Sequence, residues 1–268
     1  MRRNLFTMLA LSAVLAVGVA AIAGAAGSTF RAGNLILRFG SNVAPNKLPQ
    51  KRFAPIALHV SGKIQTTDGT HPSAFRETVV DIDKNGRVNT RGVPVCRGGQ
   101  LQARNTRAAK RACGRAIVGR GGAHVQIKFA EQAPIRVASP LLIFNGGTRR
   151  GTTTMFVHSF ITVPVPAAIV TTLKIKKIRK GRYGQRVVAK VPRIVGGAGS
   201  ALDFRFSIAK KFFRFKRNRH TYLEARCPDG RFQAKVLKSI FRNEARVAGV
   251  APVTVLRGGL VVPCRRGR

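Results

Sequence analysis

The sequence has few acidic side chains: nine Asp and Glu stand against 49 Lys and Arg, for a formal net charge of +40. Enzymes that use paired carboxylates as acid and base have little to draw on here, since only Asp81 with Asp83, or a pair distant in sequence, could serve. The basic excess predicts a surface that attracts anionic polymers in general. A compositional bias of the source, without functional meaning, is the alternative explanation.

Polar aromatic residues are also rare. Tryptophan is absent and tyrosine occurs twice, whereas phenylalanine occurs 16 times. Phenylalanine supplies apolar area without a polar group, so most of these rings are expected in a core. The apolar content of 44% is too high for a disordered polycation, and the sequence therefore predicts a folded domain.

Common catalytic and cofactor-binding motifs are missing. No H-x-H, H-E-x-x-H, C-x-x-C or G-x-S-x-G pattern occurs. Gly114 and Gly119 are followed by Arg120-Gly121, where a phosphate-binding loop needs Lys and then Ser or Thr. His158 is expected to be a hydrogen-bonded core residue rather than a catalytic base. We predict no cofactor, no metal and no small-molecule ligand.

Residues 81–92, DIDKNGRVNTRG, begin like a calcium-binding loop. Such a loop needs a bidentate Glu at its twelfth position, where Gly92 stands, and it needs flanking helices, where alternating strands are predicted. We therefore predict a β-hairpin with a three-residue loop. In that register Asp83 opposes Arg87, and Gly86 adopts the left-handed conformation.

Alternation of apolar and polar residues dominates the chain. Residues 123–129 and 202–208 alternate with period two, and glycine-rich turn signals separate such stretches. Many short strands with this spacing predict an all-β fold, either an antiparallel β-sandwich or a barrel-like sheet. Residues 232–241 fit a helix as well as a strand.

One short helix is predicted near residues 105–114. Asn105 or Thr106 would be its N-cap, a run rich in Ala, Lys and Arg favours helix, and Gly114 would be the residue that ends it in the left-handed conformation. This segment ends beside Cys113, so a disulfide could hold it.

The N-terminus has the pattern of a secretory signal peptide. Arg2 and Arg3 precede an uncharged run over residues 5–23, and small residues then allow cleavage before Ala26. A retained N-terminal anchor is the alternative. In either case the rest of the chain is expected outside the cytoplasm, secreted or retained at the cell envelope.

The predicted domain organisation follows from these segments. Residues 1–25 form the signal peptide, residues 26–52 an N-terminal arm or linker, and residues 53–268 a β-rich domain. A division of that domain into two packed β modules near residue 165 stays open.

Four cysteines occur, Cys96, Cys113, Cys227 and Cys264. An even count outside the cytoplasm suggests disulfides, and four cysteines allow three pairings. We favour the nearest-neighbour pairing, Cys96–Cys113 with Cys227–Cys264.

Six segments carry a resemblance to a known family: TDGTHPSAF (67–75), GVPVC (92–96), PLLIFNGG (140–147), VPVPAAIVTTLKI (163–175), GRYGQRVVAKVP (181–192) and YLEARCPDGRF (222–232). Together they resemble an uncharacterised family of secreted, β-rich, disulfide-containing proteins from soil actinobacteria. The resemblance runs from about Phe53 to the end of the chain. The family has no assigned activity, so the resemblance implies no catalytic residues. It implies secretion, a β fold, the two local disulfides and a strand over residues 232–241.

Two basic runs, residues 173–186 and 210–220, are the remaining feature. Where the chain alternates, charges such as Lys174 and Lys176 share a face and lie about 7 Å apart, which suits a linear polyanion. A solvated face is the alternative. The predicted polyanion-binding residues are Lys174, Lys176, Lys177, Arg179, Lys180, Arg182, Lys210, Lys211, Arg214, Lys216, Arg217 and Arg219.

We therefore predict a secreted, non-catalytic protein that is envelope-associated or binds extracellular polyanions through a basic sheet face. Its partners would be wall polymers, extracellular nucleic acid or anionic glycans. Phe212, Phe213 and Phe215 are expected to pack in the core rather than stack on bases. The alternative is a secreted hydrolase whose site is assembled from scattered residues; it would show a deep cleft with a histidine and carboxylates.

Overall fold

The computed structural model describes residues 26–267, and the predicted signal peptide lies outside them. Among these residues, one α-helix, α1 (Thr106–Cys113), and three single 3-10 turns (Gly98–Gln100, Gly114–Ala116, Val195–Gly197) interrupt a series of strands. In order, the strands are β1 (Ala26–Ala32), β2 (Leu35–Ala44), β3 (Lys47–Pro49), β4 (Ala54–Pro55), β5 (Ala57–Thr66), β6 (Ala74–Asp83), β7 (Gly86–Val88), β8 (Ile117–Ile127), β9 (Ile135–Arg149), β10 (Thr152–Ile161), β11 (Ala167–Lys180), β12 (Tyr183–Lys190), β13 (Gly199–Ile208), β14 (Phe212–Phe215), β15 (Asn218–Thr221), β16 (Leu223–Ala225), β17 (Arg231–Arg242), β18 (Val253–Pro263) and β19 (Arg265–Gly267).

Twelve of these strands form one antiparallel sheet in the order β1-β2-β5-β13-β8-β9-β10-β11-β12-β6-β17-β18. Its two edge strands approach each other. The Ser28 hydroxyl on β1 donates to the carbonyl oxygen of Gly259 on β18 at 2.9 Å, and the Phe30 ring packs against Gly258. The sheet is thus nearly closed, which confirms the all-β prediction in its barrel-like form.

Alternating apolar residues fill the interior of this sheet. Ile143 of β9, Met155 of β10 and Ile175 of β11 belong to one buried cluster with Ile208 of β13. Each large apolar side chain buried in this way contributes about 1.5–3 kcal/mol. The alternation seen in the sequence is therefore the inside–outside pattern of the sheet.

Short segments at one end of the sheet pack on the same core. These segments form a three-stranded sheet, β4-β16-β7, and a parallel pair, β3 with β19. In the chain they connect the long strands or follow the last of them. Tyr222, Leu223 and Leu48 from these segments belong to the same buried cluster as Ile143. We call this set of segments (residues 45–56, 84–97, 209–230 and 264–267) the cap.

The structure differs from the predicted domain organisation. Residues 26–52, expected to be an arm or linker, contain β1 and β2 of the main sheet, because Leu35, Leu37 and Val43 bury one face of β2. The division considered near residue 165 does not occur within the described residues. Strand β13 pairs with β5 and β8, so strands from either side of that point interleave in one sheet.

The hairpin predicted for residues 81–92 is wrong in its pairing. Strand β6 pairs with β12 and β17, whereas β7 pairs with β16, so Arg87 opposes Glu224 rather than Asp83. Gly86 is not left-handed either. In the main sheet, the ten residues of β6 form backbone hydrogen bonds with two long strands. Pairing with the three residues of β7 would form fewer hydrogen bonds, so the main-sheet arrangement is more stable.

The predicted helix and both predicted disulfides are confirmed. Asn105 caps α1 by accepting a hydrogen bond from the Ala108 amide at 2.8 Å. Gly114 was expected to be left-handed but has φ −54°, because the chain continues into a 3-10 turn. Cys96 is bonded to Cys113 and Cys227 to Cys264.

Residues 232–241 lie within β17 and are strand, as the family resemblance implied. Helix α1 packs on the outer surface of β9, where Ala109 contacts the cluster that contains Leu142 and Phe144. In the part of the chain that the structure describes, no helix is both long and apolar enough to cross a bilayer.

Candidate anion-binding surface

The basic run on β11 divides between the two faces of its strand. Lys174 and Lys176 are exposed and share the outer face, as predicted, with Thr154 and Thr152 of β10 beside them. Lys177 and Arg179 occupy the same alternate positions as the buried Ile175, at the end of the strand. These two cations and Lys180 are also exposed, so β11 exposes five cations that are divided between its two faces rather than aligned in one continuous row.

Two arginines of this run are ion-paired. Arg182, predicted to bind polyanions, contacts Asp83 through Nε at 2.8 Å and also bonds Asp229. The hydrogen bond with Asp229, followed by the charge of Asp83, raises the pKa of Arg182, and the same bond lowers the pKa of Asp229. Arg182 thus joins β6 to the cap through two carboxylates, and its assignment to the polyanion-binding surface stays a prediction.

The aspartates of the calcium-like motif are engaged in the same way. Both oxygens of Asp81 accept hydrogen bonds from Arg186, whose pKa is raised by this contact. Asp83 also accepts from the amides of Asn85 at 3.0 Å and Gln233 at 3.1 Å. Within residues 26–267 no group of three or more His, Cys, Asp or Glu could hold a metal ion.

The second basic run forms a hairpin, β14–β15, that belongs to the cap. Its cross-strand pairs are Phe212 with Thr221, Phe213 with His220, Arg214 with Arg219 and Phe215 with Asn218. All six predicted cations of this segment are exposed: Lys210, Lys211, Arg214, Lys216, Arg217 and Arg219. Four of them lie in the hairpin itself, and Lys210 and Lys211 come directly before β14, so the structure concentrates half of the predicted residues in one short segment.

The phenylalanines of the hairpin do not all pack in the core. Phe213 is 8% exposed and lies against His220, as expected, but Phe212 and Phe215 are 46% and 42% exposed. The Arg219 guanidinium lies 4.9 Å from the centre of the Phe212 ring. The prediction was wrong for these two rings: Phe212 lies on the open face of the two-stranded sheet, and Phe215 shares the face of Phe213 but lies at the last pair before the turn.

A close backbone contact fixes the position of the hairpin. Gly92 has φ +64°, and a Cβ atom there would fall 2.2 Å from the Arg214 carbonyl oxygen. The loop around Gly92 can therefore rest directly on β14 only because it has no side chain. The residue that breaks the calcium-loop pattern thus serves to dock the hairpin.

The carboxylates are mostly engaged elsewhere. Seven of the nine acidic residues form ion pairs with Arg, Lys or His: Glu77, Asp81, Asp83, Asp203, Glu224, Asp229 and Glu244. Within residues 26–267 none of these pairs involves a cation of the β14–β15 hairpin, nor Lys174 or Lys176. The hairpin charges are thus free to meet an external anion.

His158 is a core residue, as predicted. It is fully buried beside Phe144, and its Nε2 donates to the Arg104 carbonyl oxygen at 2.8 Å. Burial lowers the pKa of His158, so the imidazole is neutral at physiological pH. Ser159 next to it faces the interior, where it bonds Ser139 at 2.6 Å.

A groove on the outer wall contains residues that the sequence did not single out. It has a volume of about 500 Å³ and spans β2, β5, β13 and β8. His59 lies in it, with Nδ1 2.6 Å from the Ser207 hydroxyl, and so do Arg120 and Arg205. These residues come from distant parts of the chain, so no sequence signal could have grouped them without the strand order.

This His–Ser contact is the nearest approach to the predicted hydrolase site. No carboxylate is among the residues that line the groove. The nearest acidic residue on the same face of β13, Asp203, bonds His124 at 2.8 Å instead. The contact therefore lacks the third group that orients the base in nucleophilic catalysis.

Comparison with family models, with curated proteins and with solved structures finds no match for this chain. The resemblance to secreted actinobacterial proteins stays a prediction. The two disulfides are consistent with an extracellular location.

Proposed function

We propose that this protein is a secreted, non-catalytic binder of anionic polymers that uses the β14–β15 hairpin as its main contact. The observation that carries the proposal is the hairpin itself. It exposes four cations and two phenylalanine rings, Lys210 and Lys211 directly before it add two more cations, and within residues 26–267 none of the six has a carboxylate partner. The proposed polymers are wall polymers, extracellular nucleic acid or anionic glycans.

The pairing within the hairpin favours an external anion. Arg214 and Arg219 are directly opposed across the two strands, so their charges lie on the same face. Like charges in this position destabilise an antiparallel pair, by about 0.2–1 kcal/mol. A phosphate or carboxylate bound between them would remove the repulsion and accept hydrogen bonds from both guanidinium groups.

The exposed rings add an apolar component. Phe212 is flanked by Arg219, and Phe215 lies near the turn that carries Lys216 and Arg217. Alternating aromatic and cationic side chains suit polymers that combine a charged backbone with stackable or apolar units. Lys174 and Lys176 on β11 form a separate, smaller cationic pair.

The test is a salt titration of binding to duplex DNA, to polyglycerol phosphate and to neutral dextran. Binding to the two polyanions should weaken steeply with salt, because neutralised phosphates release condensed counterions. The triple variant Arg214→Gln, Lys216→Gln, Arg217→Gln should reduce the slope of log affinity against log salt by roughly 2–3.

A matched control removes three charges at the other end of the main sheet: Lys190→Gln, Arg242→Gln and Arg246→Gln. This variant should keep most of the affinity and most of the slope if the hairpin is the contact. Equal losses in the two variants would show that total charge alone drives binding. Salt-insensitive binding to dextran, or no polymer binding at physiological salt, would overturn the proposal.

The second candidate, a secreted hydrolase, would have to use His59 and Ser207, since their 2.6 Å contact is its one supporting observation. Hydrolysis of a chromogenic ester that is abolished by Ser207→Ala and retained in the hairpin variant would support it. The absence of turnover above the rate in buffer would leave binding as the function.

A further inference from the structure

The groove on the outer wall is built from outward-facing positions of four adjacent strands. Small residues occupy many of these positions, namely Gly40, Ser61, Gly122 and Ser207. Because these side chains are short or absent, the wall has a depression here, bordered by larger polar side chains. Its volume of about 500 Å³ lies within the usual range for small-molecule sites.

Close packing of two strands holds the floor of the groove in place. A Cβ atom at Gly121 of β8 would lie 2.0 Å from the Arg205 carbonyl oxygen, and one at Gly119 would lie 2.5 Å from that of Ser207. Larger residues at these two positions would push β8 away from β13. Arg205 and Ser207 are thus fixed next to β8 by backbone contacts rather than by side chains alone.

The register brings three polar side chains into one row. Ser207 opposes His59 on β5 and Arg120 on β8, so the three lie side by side at spacings of about 4.8 Å. His59 holds the Ser207 hydroxyl at 2.6 Å. Arg205, two residues from Ser207 on the same face, is diagonal to Arg120, and the two arginine Cα atoms are about 7–8 Å apart.

The charge of this cluster is uncompensated. Arg120 and Arg205 are exposed and have no ion pair among residues 26–267, and no acidic side chain lines the groove. Asp203, one pleat along β13, is held by His124 and Arg136. Two guanidinium groups, a hydroxyl and an imidazole therefore face a cavity that has no anion of its own.

We propose that this groove is a binding site for a phosphate-type oxyanion, phosphate or sulfate, either free or carried on a small polar unit such as glycerol or a sugar. The planar fork of arginine matches such tetrahedral anions with paired hydrogen bonds. The Ser207 hydroxyl and the Asn42 amide, which also lines the groove, supply neutral donors. The site is independent of the hairpin and would bind a single anionic group rather than a length of polymer.

The experiment titrates the isotopically labelled protein with inorganic phosphate, sulfate, glycerol 3-phosphate and neutral glycerol at constant ionic strength, and follows backbone amide shifts by NMR. Saturable shifts are expected at Arg120, Gly122, Ser207 and Ser61, with none from glycerol. Shifts spread over all exposed basic segments, or a response that does not saturate, would overturn the proposal. Tighter binding of glycerol 3-phosphate than of phosphate identifies an organic monoester as the ligand class, and equal binding identifies the free anion.

Two variants separate this site from the proposed polymer surface. Arg120→Gln with Arg205→Gln should weaken phosphate binding by roughly tenfold or more, because two charge-assisted hydrogen-bonding groups are lost. The control Arg38→Gln with Lys63→Gln removes two charges from the same wall, outside the groove, and should change little. Equal weakening by the control would contradict a built site.

The hairpin triple variant completes the design. It should lose polymer affinity while keeping the phosphate-induced shifts in the groove. Loss of both in the hairpin variant would assign phosphate binding to the hairpin and overturn the groove site. If circular dichroism shows that the double glutamine variant does not fold, Arg120→Lys with Arg205→Lys replaces it. This variant keeps both charges but removes the planar guanidinium groups. It should bind phosphate several-fold more weakly than the wild type, by about 1 kcal/mol or less.

Discussion

Asp81 of β6 and Arg186 of β12 lie opposite each other in the antiparallel ladder and are joined by hydrogen bonds of 2.7 and 2.9 Å. The aspartate is 3% exposed, and Lys235 of β17 opposes it on the other side. The carboxylate that begins the calcium-like motif in the sequence thus lies between two cationic residues on the neighbouring strands.

This arrangement predicts that Asp81 stabilises the fold without binding metal. Asp81→Asn should lower the free energy of unfolding by about 2 kcal/mol, because Arg186 would lose its charged partner in a partly buried site. Glu77→Gln, which breaks a more exposed bridge to Lys238, should cost less than about 1 kcal/mol. Chemical denaturation measures both. Millimolar calcium should leave the melting temperature of the wild type unchanged, and a rise that Asp81→Asn abolishes would contradict this account.

Repulsion between Arg214 and Arg219 gives a prediction with opposite signs for stability and binding. Arg214→Gln should raise the stability of the free protein slightly, by about 0.2–1 kcal/mol, because it removes a like-charge cross-strand pair. The same change should weaken binding to polyglycerol phosphate. Arg217→Gln, at the hairpin turn and outside this pair, is the control; it should weaken binding without the gain in stability, as measured by denaturation and titration.

Lys216 is a second position at which one substitution should raise stability and weaken binding. It has φ +54°, in the left-handed region that costs a residue with a side chain about 1–2 kcal/mol relative to glycine. Lys216→Gly should therefore raise the melting temperature and lower polyanion affinity. Lys211→Gly also removes one charge but relieves no such backbone conformation, so it should not stabilise. A loss of stability in Lys216→Gly would show that the turn conformation carries little strain.

Buried histidines predict acid sensitivity. Burial lowers the pKa values of His158 and His71 below the usual 6.5, so the folded protein binds fewer protons than the unfolded chain just below that pH. The free energy of unfolding should therefore have its full value above pH 6.5 and fall as the pH drops below 6.5. His158→Gln, which can still donate to the Arg104 carbonyl oxygen, should flatten this dependence. His59→Gln, at an exposed position, should not; denaturation at pH 7.5 and pH 5 distinguishes them.

The two disulfides should differ in their contribution. Replacing Cys227 and Cys264 by serine should cost about 4 kcal/mol, against about 3 kcal/mol for Cys96 with Cys113, because the closed loop is longer. The sequence separations are 37 and 17 residues. Loss of the Cys96–Cys113 bridge should also loosen the packing of α1 on β9, which faster hydrogen exchange at the Ala109 amide would detect. Equal costs would indicate that strain or denatured-state structure, not loop length, governs the difference.

Local features were predictable where a few neighbouring residues decide them. Asn105 caps α1 because a side-chain oxygen can reach the amide three residues on, and this needs no information from the rest of the chain. Alternation placed Ile175 inside and Lys174 outside before any partner strand was known. The short sequence separations favoured the disulfide pairing that the structure has.

Long-range pairing was not predictable in the same way. The alternation of β6 fits a hairpin with β7 as well as it fits ladders with β12 and β17, and only competition within the whole sheet selects the latter. For the same reason, Phe212 was expected to be buried although β14 lies in a two-stranded sheet with one open face.

The sequence by itself determined an all-β protein with one short helix, two local disulfides and an excess of positive charge, because composition, period-two alternation and capping act over a few residues. Only the tertiary structure decided which of the charges are available. It paired Arg182 and Arg186 with aspartates, left the β14–β15 hairpin without carboxylates, and placed Arg120, Arg205, His59 and Ser207 around one groove. These outcomes depend on strand order and register, since residues far apart in the chain become neighbours only when the sheet closes.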